Sequence, residues 1–181
     1  MKKVLVLTLA MFMFVYAGIA CAENLQTRES IVMIEGTEEI ITETLYESPQ
    51  GFLVWYPADL FVATHEEETD YFDTASGFVE AGVAIVDGQM SYQAADEMLE
   101  VSIEMSIANG GNMIGDIREW QLDSGVIVKH AQIIYGDDHN PIYYLYGGDR
   151  VFCVSCYYPA EAAEGIGTRI ERMISTFELV G

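Results

Sequence analysis

Residues 117–177 alternate short β-prone runs with Gly- and Asp-rich breaks and close on an amphipathic helix, and this order restricts the fold more than any other feature of the chain. The runs 117–122 and 126–135 are dominated by β-branched and aromatic residues, and Asp123, Ser124 and Gly125 separate them as the turn of a hairpin. Asp137, Asp138, His139 and Asn140 then turn the chain into residues 142–146. Gly147, Gly148 and Asp149 turn it again into residues 150–158. Breaks this short make neighbouring strands antiparallel. Pro159 has no N–H for a ladder and ends the last strand. Over 161–177, Ile166, Ile170, Met173, Ile174 and Phe177 recur at helical spacing, a stripe that needs a partner such as the apolar face of the adjacent meander.

The first half reads less cleanly. Residues 30–35 and 38–47 alternate around Gly36 and Thr37 as a hairpin with one wet face, although Ile41, Thr42 and Leu45 blur the alternation. Phe52 to Tyr56 form a dense apolar run ended by Pro57, the mark of a buried strand. Further strands are expected at 60–64 and 78–86, with a polar loop between them. Ser91 is the N-cap of a helix reaching Ala108, with Asn109, Gly110 and Gly111 as its stop. Its wheel predicts a core face of Ala94, Ala95, Met98, Val101, Ser102 and Met105. Asp96, Glu97, Glu100 and Glu104 face water.

Lys2 and Lys3 precede an apolar run to Ala17, and Ala20-Cys21-Ala22 gives a small-x-small cleavage pattern. Residues 1–22 therefore read as a secretory signal peptide cut after Ala22, followed by a polar lead, 23–29, and a single domain, 30–181. The alternative is lipidation at Cys21, which would tether the protein to a membrane. Either way the protein is exported, to a bacterial periplasm, cell envelope or the medium. Removing residues 1–22 takes away two lysines and no acid, moving the formal charge from −21 to −23. Between Glu29 and Ile117 there is no Lys or Arg against nineteen Asp and Glu. Such a chain lacks the basic footprint that nucleic acids and anionic membranes require, and it points to a protein or cationic partner.

Few constellations carry chemistry. Cys153 and Cys156 have the spacing of a redox motif, but inside a strand they point to opposite faces with Cα atoms about 10 Å apart, beyond disulfide reach. They read as small buried residues. His65, His130 and His139 are scattered, without metal-ligand spacing. The acidic cluster Glu66, Glu67, Glu68, Asp70 and Asp73 is a solvated loop, or a loose Ca²⁺ site without the spacing and Gly of an EF-hand. Tyr143, Tyr144, Tyr146, Phe152, Tyr157 and Tyr158, with Trp55 and Trp120, serve mostly for packing, or in part line a groove. No nucleophile elbow, phosphate loop, zinc-protease helix or dinucleotide fingerprint occurs, and no catalytic residue or cofactor is assigned.

The order of apolar strand, Pro57, acidic stretch, strand, helix, four-strand meander and closing helix resembles the PsbP-like α/β/α sandwich family. The run from Tyr143 through Gly147, Gly148 and Asp149 to Glu161, leading into 169–177, looks like that family's last hairpin and terminal helix. The resemblance implies an α+β fold, a twisted and mainly antiparallel sheet flanked by helices 91–108 and 161–177. The family includes an extrinsic subunit of the plant oxygen-evolving complex, a Ran-binding import factor and small exported bacterial proteins, and its members mostly bind or assist other proteins. No functional residue carries over. The expected function is an exported accessory or binding module with an acidic surface. The alternatives are a carboxylate-based hydrolase and a Ca²⁺-responsive surface protein.

Overall fold

The computed structural model describes residues 26–180. The expected signal peptide, its cleavage after Ala22 and the lipidation at Cys21 lie outside the described residues.

Pro57 sets the architecture. Its carbonyl accepts from the N–H groups of both Leu60 (3.0 Å) and Phe61 (2.9 Å), a sharp corner at which the chain leaves one sheet and enters another. Before the corner lie β1 (Thr27–Ile34), β2 (Thr37–Glu47) and β3 (Phe52–Tyr56). After it come β4 (Phe61–Glu66), β5 (Thr69–Thr74) and β6 (Gly82–Asp87), then the helix α1 (Tyr92–Ala108). The meander follows as β7 (Asn112–Gln121), β8 (Ile127–Tyr135), β9 (Asp138–Gly147) and β10 (Arg150–Pro159). A 3-10 turn (Ala160–Ala162) and a π turn (Ala163–Gly167) lead into α2 (Thr168–Ser175), and β11 (Glu178–Leu179) closes the described chain.

The strands form two fully antiparallel sheets, ordered β1-β2-β3-β11 and β4-β5-β6-β10-β9-β8-β7. This overturns the expected α/β/α sandwich. The larger sheet carries α1 on one face, where Ala95, Leu99 and Ile103 meet Ala131, Ile133, Tyr144 and Tyr146. Its other face is covered jointly by the smaller sheet and α2, with Phe52, Val54, Ile170, Met173 and Phe177 against Phe61, Phe72, Ile85, Leu145 and Phe152. One face of the large sheet therefore meets mostly strand, because residues 27–56, together with β11, supply a separate sheet.

Several boundaries move as well. β1 begins at Thr27, inside the expected polar lead. The strand expected at 78–86 begins at Gly82 and leaves Phe78 exposed. The turn expected at 137–140 shrinks, and β9 runs through Pro141. The β9–β10 ladder skips the positions opposite Asn140 and Pro141, so the missing N–H costs no bond there. The burial of β2 changes phase at Glu43 and Thr44, neighbours that are both buried, which explains the blurred alternation. Ser91 caps α1 by accepting from the Ala94 N–H at 3.2 Å. The core face of α1 is rotated from the expected one, since Met98, Val101 and Met105 are exposed. Asp96 is the reason: it accepts from Lys129 (2.5 Å) and Tyr146 (2.7 Å) of the sheet, which turns the helix onto its Ala95 side. The Lys129 hydrogen bond in turn holds the Asp96 carboxyl below its ordinary range.

Candidate functional site

Asp70 stands at the centre of the most organised polar cluster. In Thr69-Asp70-Tyr71-Phe72-Asp73-Thr74 the strand period places Asp70 on the same side as the core residue Phe72, and its side chain is fully buried. A buried carboxylate must be supplied with donors, and four converge on it. Oδ1 accepts from Tyr46 Oη at 2.6 Å and from His65 Nδ1 at 2.8 Å. Oδ2 accepts from Ser48 Oγ at 2.5 Å and Gln50 Nε2 at 2.6 Å. These donors come from β2, from the β2–β3 turn and from β4, so the carboxylate ties the small sheet to the large one. Burial, followed by the hydrogen bond to Asp70, raises the Tyr46 hydroxyl pKa above its usual value and keeps it a donor.

The rest of the cluster is equally committed. Ser48 Oγ, besides donating to Asp70, accepts from the Gln50 N–H at 2.9 Å. Gln50 also donates to the Ile85 carbonyl (3.1 Å) and accepts from the Asp87 N–H (2.7 Å). The Arg150 guanidinium donates through Nη2 to the Gln50 carbonyl and to Asp87 Oδ2, both at 2.6 Å, and lies over the Phe152 ring at 4.6 Å. Gly51, at φ +79°, closes the turn, and a Cβ there would stand 3.0 Å from Arg150 Nη1.

These residues border an open cleft of about 320 Å³ lined by Gln50, His65, Glu67, Glu68, Asp87 and Arg150. A carboxylate only accepts, so His65 Nδ1 carries the ring proton. In the neutral ring, Nε2 is then an acceptor on the side away from Asp70. Glu67 and Glu68 form the two-residue β4–β5 turn, with Glu67 at φ +56°, and both side chains are exposed. Gln89 also lines the cleft, whose one Arg or Lys, Arg150, is paired with Asp87 at 2.6 Å, whereas the exposed carboxylates of Glu67 and Glu68 have no ion-pair partner among the described residues.

The expected acidic loop is thus a tight hairpin. Glu66 and Asp73 lie on the opposite strand face from Asp70, Glu67 and Glu68 sit at the tip, and the four acceptor positions of Asp70 are full. Among the described residues no group of three or more His, Cys, Asp and Glu is placed to hold a metal. His65 proves to be part of the site. Tyr46, Ser48, Gln50 and Arg150 were not singled out by the sequence, and only the shared face of Asp70 and Phe72 signals the buried acid.

The other candidates fall elsewhere. Cys156 is buried between the sheets and Cys153 is half-buried toward α1; both are free, and burial raises the pKa of each thiol. Tyr143, Tyr144, Tyr146, Phe152 and Tyr158 are core residues. His130 is buried and stacked on Tyr143 at 4.5 Å. Its Nδ1 accepts from Arg118 Nη2 at 2.9 Å, and Nε2 has no partner among the described residues. Burial, and then the Arg118 charge, lower its pKa to about 4. A second buried carboxylate, Glu43, is clamped by Arg28 (2.7 Å) and Arg172 (3.2 Å), and Arg28 also covers Trp55 at 4.3 Å.

No family model and no curated protein matches the chain, and the PsbP-like resemblance gains no support. Among solved structures it is similar to a protein of Bacteroides thetaiotaomicron VPI-5482 at 15% identity and a TM-score of 0.42, over 75% of this chain and 47% of that one. The chain therefore spans about half the length of that protein, and a likeness this distant carries neither fold nor function.

Proposed function

We propose that the protein is an exported, non-enzymatic binding module that takes a cationic group of a partner protein, a lysine ammonium or an arginine guanidinium, in the cleft beside His65. The charge balance of the cleft carries this reading: its one Arg or Lys, Arg150, is paired with Asp87, and the exposed carboxylates of Glu67 and Glu68 beside His65 have no ion-pair partner among the described residues. The two unpaired carboxylates attract a cation and repel an anion. The whole surface agrees in sign. The described residues hold six Lys and Arg, the chain's eight less Lys2 and Lys3, and each is already in an ion pair with a carboxylate. Export rests on the sequence of residues 1–22. Among the described residues no helix is long and apolar enough to cross a membrane.

A carboxylate-pair hydrolase gains no such support. The buried acids Asp70 and Glu43 are each saturated and share no partner. Titration calorimetry with a lysine- and arginine-rich peptide tests the binding reading. The double substitution E67Q/E68Q weakens binding by about tenfold, equivalent to roughly 1.4 kcal/mol. E97Q/E100Q, which removes as much charge from α1, leaves it nearly unchanged. Equal losses from both pairs, or no binding by the unmodified protein, would refute it.

A further inference from the structure

The strand β1 ends the small sheet, and among the described residues the edge away from β2 has no strand partner. Edge strands of soluble proteins are commonly blunted by proline, lysine, a bulge or a covering segment. β1 reads Thr-Arg-Glu-Ser-Ile-Val-Met-Ile over eight residues, with no Pro, Gly or Lys, and pairs with β2 in unbroken register. Its exposed face is also apolar at the centre. Ile31 stands directly opposite Ile40 of β2, with Met33 beside them, and Ile31 and Ile40 are 62% and 71% exposed.

We propose that two copies of this chain pair edge to edge through β1, antiparallel about a two-fold axis at Ile31. Antiparallel neighbours face each other from the same side of the sheet, which limits self-pairing to registers whose two residue numbers sum to an even value. With the axis at Ile31, Ile31 meets its own copy, Met33 meets Glu29, and Thr27 meets Glu35. On the other face Ser30 meets Val32 and Arg28 meets Ile34. No carboxylate stands opposite another in this register, whereas an axis at Val32 would set Glu29 against Glu35. The row Ile40, Ile31, Ile31 and Ile40 then runs unbroken across four strands, and the two small sheets become one of eight.

This pairing brings together two highly acidic chains, so salt strengthens it by screening their repulsion. The cleft's hold on a cation has the opposite salt dependence. Sedimentation velocity of the purified protein at low salt and at about 1 M salt, where the Debye length is about 3 Å, is expected to show dimer increasing with salt. I31K and I40K, both at exposed positions, give monomer at either salt, and M98K on the exposed flank of α1 leaves the dimer intact. Under mild oxidation I31C crosslinks to its own copy, while M33C, which faces Glu29, does not. A monomer at both salts, a dimer that I31K leaves intact, or crosslinking of M33C as fast as I31C overturns the proposal.

Discussion

Asp70 is the residue on which the joint between the two sheets depends. D70N keeps the shape but turns one acceptor oxygen into a donor nitrogen that faces Ser48 and Gln50 or Tyr46 and His65. Leaving buried donors unmet costs about 1–3 kcal/mol each, so D70N is expected to lower the unfolding free energy by roughly 3 kcal/mol in a urea titration. H65Q, at the exposed side of the cluster, costs less than about 1 kcal/mol. His130 adds a pH dependence of definite sign. Its pKa falls from 6.5 to about 4 on folding, because it is buried beside Arg118. Between those values the unfolded chain binds a proton that the folded chain refuses, so stability is full above pH 6.5 and declines as pH falls toward 4. The contribution is roughly 3 kcal/mol. The difference in urea midpoint between the wild type and H130F, followed from pH 7 to pH 4, isolates it from the titration of the surface acids. H130F flattens the decline.

At the level of elements, the clamp of Arg28 and Arg172 on Glu43 docks α2 on the β1–β2 hairpin. E43Q leaves two guanidinium groups facing a neutral amide and is expected to destabilise by about 3 kcal/mol. E39Q, whose 2.8 Å pair with Arg169 is more exposed, costs about 0.5 kcal/mol, and thermal melts of both variants check the contrast. The same elements show what a sequence can reveal. The meander β7–β10, the Ser91 cap and the burial of Ile166, Ile170, Met173, Ile174 and Phe177 were legible, because local periodicity and turn chemistry fix them, although the helix expected over 161–177 is regular only at Thr168–Ser175 and is preceded by 3-10 and π turns. The hairpin β4–β5 was not. Glu66 to Glu68 give it the charge density of a solvated loop, and that density hides the alternation in which Asp70 faces inward. The partition into two sheets was hidden too, since it depends on how Pro57 turns the chain and on β11 pairing with β3 across most of the domain. Tyr46, Ser48 and Gln50 enter the site only through that sheet-to-sheet register, which no local pattern records.

For the molecule as a whole, a formal charge of −21 over 181 residues, or −23 without residues 1–22, works against compactness. Added salt is therefore expected to raise the melting temperature, by about 2–4 °C for each kcal/mol of repulsion relieved, in calorimetric scans across an ionic-strength series. The opposite trend would mean that internal ion pairs outweigh self-repulsion. One seam bears on how such a molecule comes into being. The edge of β3 beyond its pairing with β11 is closed by Thr176, whose Oγ1 accepts from the Trp55 N–H at 2.9 Å across 121 residues of chain. The hairpins of the small sheet form from nearby residues within microseconds, yet Phe52 and Val54 stay uncovered until the far segment has been made and has found them. Covering β3 thus waits on contacts more than a hundred residues away in the chain, and until they form its apolar face is open to other chains. A cell producing this protein must either shield that strand or deliver the chain unfolded to where it closes.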